Sequence, residues 1–271
     1  MFNLTGYLQR INLSDVSVAD VETLSRLQFA HRLAIPFENI DVKLGRPVEI
    51  DSDAVYEKLV ERARGGYCFE QNQLFLDALT SLGFTARTLL ARVWLGSDST
   101  PPKTHSLILV TIEDEQWIAD AGFGGSFVPP MRLVDGERVE APDGARYLLQ
   151  QTEPSNWLLS RIPAPSDGAA GSEGDSQAQY SFDLSEVFQA DLVLANHWTS
   201  TAPGSLFRNQ QFVNAVLPQG FVSLVDRKLQ ETVGPERRTT VIDTRQAYLT
   251  VLADRFGISV SADEVEALGL F

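Results

Sequence analysis

The chain has 271 residues, 44 % of them apolar, enough to bury a sizeable core in one large domain or in two to three small ones. Its 36 acidic against 22 basic residues leave a net charge of −14, which argues against nucleic acid and anionic membrane surfaces as partners, because both need clustered Lys and Arg. One cysteine excludes an internal disulfide and a thiolate metal site, and three scattered histidines make no metal expected. With no signal-like leader and no run of about 18 apolar residues, the chain is expected to be cytoplasmic and free of the membrane.

Residues 18–33 carry a helical period, with Val21, Leu24, Leu27 and His31 on one stripe and Asp15 or Ser14 as cap. Pro36 forbids continuation and makes residues 35–40 an ordered turn. A second helix is expected over 53–63, capped by Ser52, with Val55 and Leu59 inward. A third follows Cys68: Leu76, Leu79 and Leu82 recur near a helical turn, Phe75 and Ala78 widen the stripe, and Gly83 stands where a helix ends. Three short helices in residues 1–84 read as a small bundle. The period then changes. Residues 85–95, 106–112 and 116–119 read as strands, with a hairpin turn at 113–115, and 145–151, 157–162 and 179–184 continue the pattern towards a small barrel or sandwich. Residues 163–177 are of low complexity without an apolar anchor and read as a surface loop. The last third is mixed: helix over 185–194, irregular chain over 196–207, strands 211–217 and 221–225 paired across Pro218-Gln219-Gly220, a strand at 239–242, and helices at 245–256 and 262–268.

The chemistry concentrates in Arg64-Gly65-Gly66-Tyr67-Cys68-Phe69-Glu70-Gln71-Asn72. A thiol on a glycine turn at a helix start meets the positive end of the helix dipole, which favours the nucleophilic thiolate, and glycine lets backbone N–H groups face a reacting carbonyl. A lone buried cysteine that only fills space is the bland alternative. The histidines weigh against it. His31 lies on a packed helical stripe and His197 in a polar stretch, but His105 opens a buried strand and Asp120 ends the next one. Antiparallel pairing brings that start beside that end, so Asp120 can orient His105 as the base for Cys68. The glycine loop after Asp120, Ala121-Gly122-Phe123-Gly124-Gly125-Ser126, offers backbone that a bulky ligand can approach and is not a P-loop.

The cysteine motif resembles the signature of the arylamine N-acetyltransferases. Four further matches stand in the family's order: Tyr7-Leu8-Gln9-Arg10-Ile11, His31-Arg32-Leu33-Ala34-Ile35-Pro36-Phe37-Glu38-Asn39-Ile40, His105-Ser106-Leu107-Ile108-Leu109-Val110 and Asp120-Ala121-Gly122-Phe123-Gly124, with Pro203-Gly204-Ser205-Leu206-Phe207 matching more loosely. The resemblance implies an α+β fold with a cysteine-protease/transglutaminase-like catalytic core: a helical bundle over 1–84, a β-barrel over 85–190 and an α/β lid over 191–271. It implies a Cys68–His105–Asp120 triad and ping-pong acetyl transfer from acetyl-CoA, as co-substrate, to an arylamine, arylhydrazine or N-hydroxyarylamine in xenobiotic metabolism. It also implies acceptor contacts at Phe37, Tyr67, Phe69, Phe123 and Phe207, CoA contacts at Thr104, Gly124 and Gly125, and an Arg64–Glu38 pair bracing the turn. The 163–177 stretch has no counterpart in the family pattern. Other readings of the same residues are a cysteine hydrolase or transglutaminase, an amide synthase of antibiotic assembly working without CoA, and a binding module that would not need His105 and Asp120 on adjacent strand ends. The acceptor amine and any homo-oligomer stay open.

Overall fold

Asp20, not Asp15 or Ser14, begins the first long helix. Its carboxylate accepts the N–H of Thr23, three residues on, and α2 runs Val21–Ala34 with Leu24, Leu27 and His31 buried. A short α1 (Leu4–Arg10), not foreseen from the sequence, precedes it, and Arg10 ties it down by donating to the carbonyls of Leu59 and Ala34. A two-residue strand, β1 (Phe37–Glu38), and one turn of helix, α3 (Ile40–Lys43), follow. The helix expected over 53–63 is split. Asp51 caps α4 (Ser52–Tyr56), which continues as a π turn over Glu57–Glu61, marked by the bond from Arg62 N to Glu57 O at 2.9 Å. Then α5 (Cys68–Ser81) starts at the cysteine and stops before Gly83, whose φ of +87° closes it as expected.

The computed structural model describes residues 2–125, 127–162, 176–234 and 236–271. Of the low-complexity stretch at 163–177, only residues 176 and 177 fall within this range, and Gln177 already opens a strand.

Two antiparallel sheets follow α5. One is an eight-stranded sheet made of β2 (Thr85–Val93), β3 (Lys103–Ile112), β4 (Glu115–Ala119), β5 (Met131–Arg132), β6 (Glu137–Glu140), β7 (Arg146–Glu153), β8 (Asn156–Ile162) and β9 (Gln177–Asp183). Its order is β5-β4-β3-β2-β9-β8-β7-β6, and its edges β5 and β6 come back into contact, so the sheet is nearly closed as a barrel. β3 reads as continuous apolar sequence because both of its faces are covered. Leu107 and Leu109 point into the barrel with Tyr147, Leu159 and Tyr180, while Ile108 and Val110 meet Leu24, Leu74, Phe75 and Leu79 of the bundle.

After the barrel come α6 (Gln189–Thr201) and the single turn α7 (Leu206–Asn209). The expected helix at 185–194 therefore starts later and runs through the first half of the stretch expected to be irregular, and it spans the expected boundary at 190. The chain closes with β10 (Phe212–Leu217), β11 (Gly220–Val225), β12 (Lys228–Val233), β13 (Glu236–Val241), α8 (Arg245–Phe256) and α9 (Ala262–Ala267). These four strands and β1 form the second sheet, in the order β1-β10-β11-β12-β13, so the N-terminal region lends a strand to the C-terminal one. The fold is α+β.

Candidate active site

The turn that carries Cys68 is built by close approach. Gly65 lies so near the chain at Pro36 that a Cβ would stand 2.3 Å from the Pro36 carbonyl oxygen, and Glu38 N and Gly66 O are bonded at 3.1 Å. Arg64 donates to Glu38 through Nε and Nη2, the latter at 2.7 Å, which is the bracing pair expected here. Gln71 reaches back from α5 and donates to the carbonyls of Pro36 (2.8 Å) and Gly66 (3.1 Å). Cys68 is then the first residue of α5, after Tyr67 as cap.

His105 comes from β3 and Asp120 from just past β4. Ile108 faces Ala119 in the register, so strand pairing alone leaves His105 beyond the last paired residue. An irregularity in β2 between Ala91 and Arg92 falls opposite it, since Ala91 pairs with His105. The ring meets the carboxylate: Nε2 lies 2.7 Å from Asp120 Oδ2. With Nε2 engaged, Nδ1 is the ring nitrogen left free of Asp120, and Cys68 is near enough to help raise His105; the thiol itself donates to the carbonyl oxygen of Thr104 at 3.7 Å.

Both members of the His105–Asp120 pair are buried. Burial disfavours the imidazolium, but the charge and hydrogen bond of Asp120, joined by Cys68, outweigh it and raise His105 from 6.5 to about 10. Burial likewise opposes the Asp120 carboxylate, and His105, Asn72 and the N–H of Gly122 reverse that, holding it below the usual carboxylate range. Asn72 donates to Asp120 Oδ1 (3.2 Å) and to Ser106 O (2.6 Å) and accepts from Ala121 N (3.0 Å). The fit around Gly122 is tight: a Cβ there would lie 2.5 Å from the Asn72 amide nitrogen and 2.8 Å from the Cys68 backbone. The rings of Phe123 and Tyr180 flank His105 at 5.3 and 5.1 Å between centroids.

These groups open into a cleft of about 530 Å³ whose walls are mostly apolar. Cys68, His105, Phe37, Phe123, Phe207, Thr104, Gly124 and Gly125 all line it. Tyr67 and Phe69, expected as acceptor contacts, do not. They flank Cys68 in sequence, so the helix start turns them away from the face that Cys68 presents, and both are buried. Tyr67 stacks edge-on against Phe69 and Phe207 from behind, and its hydroxyl bonds the side chain of Asn196 on α6.

A family model described as N-acetyltransferase matches residues 20–265. An arylamine N-acetyltransferase of Escherichia coli is 42 % identical over 219 residues, 80 % of this chain and 74 % of that relative. The chain belongs to the arylamine N-acetyltransferase family. An arylamine N-acetyltransferase of Mycolicibacterium smegmatis is 33 % identical over 265 residues, covering 95 % of this chain and 92 % of its own. Among solved structures, the arylamine N-acetyltransferase of Salmonella typhimurium superposes with a TM-score of 0.91 at 35 % identity, over 99 % of this chain and 98 % of that one. The Mycobacterium marinum arylamine N-acetyltransferase in complex with CoA does so with a TM-score of 0.88 at 31 % identity, over 98 % of each. The chain is thus an acyltransferase. Among the described residues no helix is long and apolar enough to cross a membrane.

For an arylamine N-acetyltransferase the cleft has contributors that sequence reasoning missed. Trp198 on α6, Leu206 on α7, Leu95, Pro101 and Pro102 line it, as do Phe212 and Asn214 of β10 and Phe221, Ser223 and Val225 of β11. The two strands were read correctly, and their alternation is the available signal, but which face meets the cleft follows from β1 docking beside β10, with Phe37 opposite Asn214. Arg32 was also missed. Its buried guanidinium donates to the carbonyls of Ala121 (3.3 Å), Phe123 (2.9 Å) and Gly125 (3.5 Å) and so holds the glycine loop. Asn214 grips the same loop from the other side by donating to Gly124 O.

Proposed function

We propose that this chain transfers an acetyl group from acetyl-CoA to an arylamine, arylhydrazine or N-hydroxyarylamine by a ping-pong mechanism through an acetyl-cysteine on Cys68. The observation that carries this reading is the line from Cys68 through His105 to Asp120 within an aromatic cleft, with 2.7 Å between the last two. Cys68 attacks the thioester carbonyl as the thiolate, its proton already held by His105. The C–S bond to CoA breaks, and the CoA sulfur leaves with the proton from His105. The amine then attacks the acetyl-cysteine, His105 takes the amine proton, and the Cys68 sulfur is released. Exchange of one thioester for another is nearly balanced, whereas thioester to amide runs downhill, so the second half-reaction draws the first.

The walls suit the two substrates. Phe37, Phe123 and Phe207 give an aromatic ring apolar surface to bury. Thr104, Gly124 and Gly125 are our candidates for CoA; a Cβ on Gly124 would lie 2.7 Å from the Phe37 ring, so glycine is what lets the loop pack this close to that ring. For the oxyanion we assign a backbone N–H at the start of α5, where the helix dipole favours negative charge.

Incubation with acetyl-CoA and no acceptor should add one acetyl group to the intact mass, and Cys68→Ser should show none. An active wild type whose mass does not change removes the covalent intermediate.

A further inference from the structure

The nucleophile turn has a second side, facing away from the cleft, and neither half-reaction uses the residues found there. Glu70, two residues after Cys68 in the first turn of α5, is buried. Its Oε2 accepts the N–H of Tyr67 at 3.0 Å, and its Oε1 lies 2.7 Å from the ammonium of Lys58. Lys58 is only 8 % exposed, and its Nζ also meets Asp41 Oδ2 at 2.7 Å. Lys58 arrives there through the π turn. Carrying one more residue per turn than an α-helix, the turn shifts the facing of its side chains, so that Lys58 and Leu59 are both buried. The carboxylate packs close against the turn: a Cβ on Gly66 would stand 2.7 Å from Glu70 Oε2.

We propose that Lys58 is a positioning residue for the nucleophile: by holding Glu70 ionised against the Tyr67 N–H, it sets where α5 begins and hence where the Cys68 sulfur stands relative to His105. This rests on the reading of Cys68 as the acetyl carrier. A carboxylate buried without its cation takes up a proton, and a neutral carboxyl accepts more weakly than an ionised one. Burial, helped by the nearby Glu38 carboxylate, pushes Glu70 up from the usual carboxylate range; Lys58 opposes it most, and the Tyr67 N–H opposes it less. Burial alone would lower Lys58, but the carboxylates of Glu70, Glu38 and Asp41 hold it raised. A cavity of about 360 Å³ lies behind this cluster, lined by Asp41, Lys58, Arg64 and Glu70 together with Pro47, Val48 and Ala54. An ammonium here contributes little packing, so its role is read in placement of the thiol more than in fold stability.

The test is Lys58→Met, followed by acetyl transfer and by iodoacetamide alkylation of Cys68 near pH 7. Displacement of a reacting group by about 1 Å costs on the order of 100-fold. We expect kcat and the alkylation rate to fall together by about 10- to 100-fold, with KM for the acceptor amine and the near-ultraviolet circular dichroism of the folded protein unchanged. Lys58→Arg, which keeps the cation, should retain most of both rates. Lys58→Met combined with Glu70→Gln should regain much of what Lys58→Met loses, because the amide oxygen accepts the Tyr67 N–H without a buried charge. Should Lys58→Met fail to fold, Glu70→Ala must slow the alkylation in its place. Wild-type alkylation in a folded Lys58→Met or Glu70→Ala enzyme that still transfers acetyl overturns the positioning role, as does a double variant as slow as Lys58→Met. Alkylation reads the thiol without any acyl donor, so a contrast that persists where acetyl transfer is absent keeps the positioning role and removes the acetyl-carrier reading alone.

Discussion

The core of the helical bundle and the base of the cleft each bury one histidine, and the two are driven in opposite directions. His31 sits between the Tyr7 hydroxyl at 2.9 Å from Nδ1 and the Gln71 amide oxygen at 2.6 Å from Nε2. Those partners are neutral, burial dominates, and with Arg32 and Arg10 nearby the ring is lowered from 6.5 to about 3, the Gln71 bond opposing only in part. His105 suffers the same burial but faces a carboxylate, and rises to about 10. Burial therefore does not decide whether a histidine is charged; the partner does. One imidazole is a packing element that never takes a proton near neutrality, and the other holds one beside Cys68.

The strongest way to break this contrast is Asp120→Asn. Without the carboxylate His105 should behave like His31, its ring neutral at pH 7 in an NMR titration, and turnover should fall by about four orders of magnitude, as in a serine-protease triad. A ring that stays protonated, or near-normal turnover in a folded variant, ends the assignment. The same change has a stability signature. A folded value raised above the unfolded 6.5 contributes stability that is complete below pH 6.5 and is lost as pH rises towards about 10. Melting temperature should thus drop across that window in the wild type and less in Asp120→Asn.

His31 sharpens the contrast with the opposite slope. Its folded value lies below the unfolded one, so stability is complete above pH 6.5 and is lost as pH falls towards about 3. The slope of this loss is at most about 1.4 kcal/mol per pH unit. His31→Leu should cost about 1–3 kcal/mol at pH 7, because the Tyr7 hydroxyl and the Gln71 amide lose a buried partner, and it should weaken the acid slope. Urea midpoints at pH 7 and pH 4.5 read both effects, and an unchanged slope would show that His31 is not the neutral buried group described above. The smallest effect belongs to His197, exposed on α6. His197→Gln should move stability by less than about 0.5 kcal/mol and turnover by less than about twofold, measured by the same melts and a steady-state assay.

Much of this was legible in the residues. The period change near residue 85, the β3–β4 hairpin and the glycine that ends α5 each follow from local chemistry, and that hairpin points His105 and Asp120 to the same end of the strand pair, although its register stops at Ile108. What escaped depends on contacts distant in sequence. Residues such as Thr, Asn, His and Trp are weak helix formers, so 196–201 read as irregular; there α6 is held by Asn196, whose amide donates to Val48 O at 2.9 Å. The irregularity in β2 opposite His105 leaves no mark in the residues at Ala91 and Arg92. The π turn carries a sequence that an ordinary helix would accept, and with it the inward turn of Lys58 was hidden.

The pairing of Phe37 with Asn214 has a consequence for how the molecule comes into being. Most of the chain separates these two residues, and closing so long a loop is slow compared with forming a helix or a hairpin. During synthesis the bundle and the barrel can be complete on the ribosome while Phe37 still lacks the strand that seats it. The wall formed by Phe212, Phe221 and Val225 is equally late. A nascent chain can thus hold its thiol and imidazole together before the cleft above them has the wall that its last third supplies.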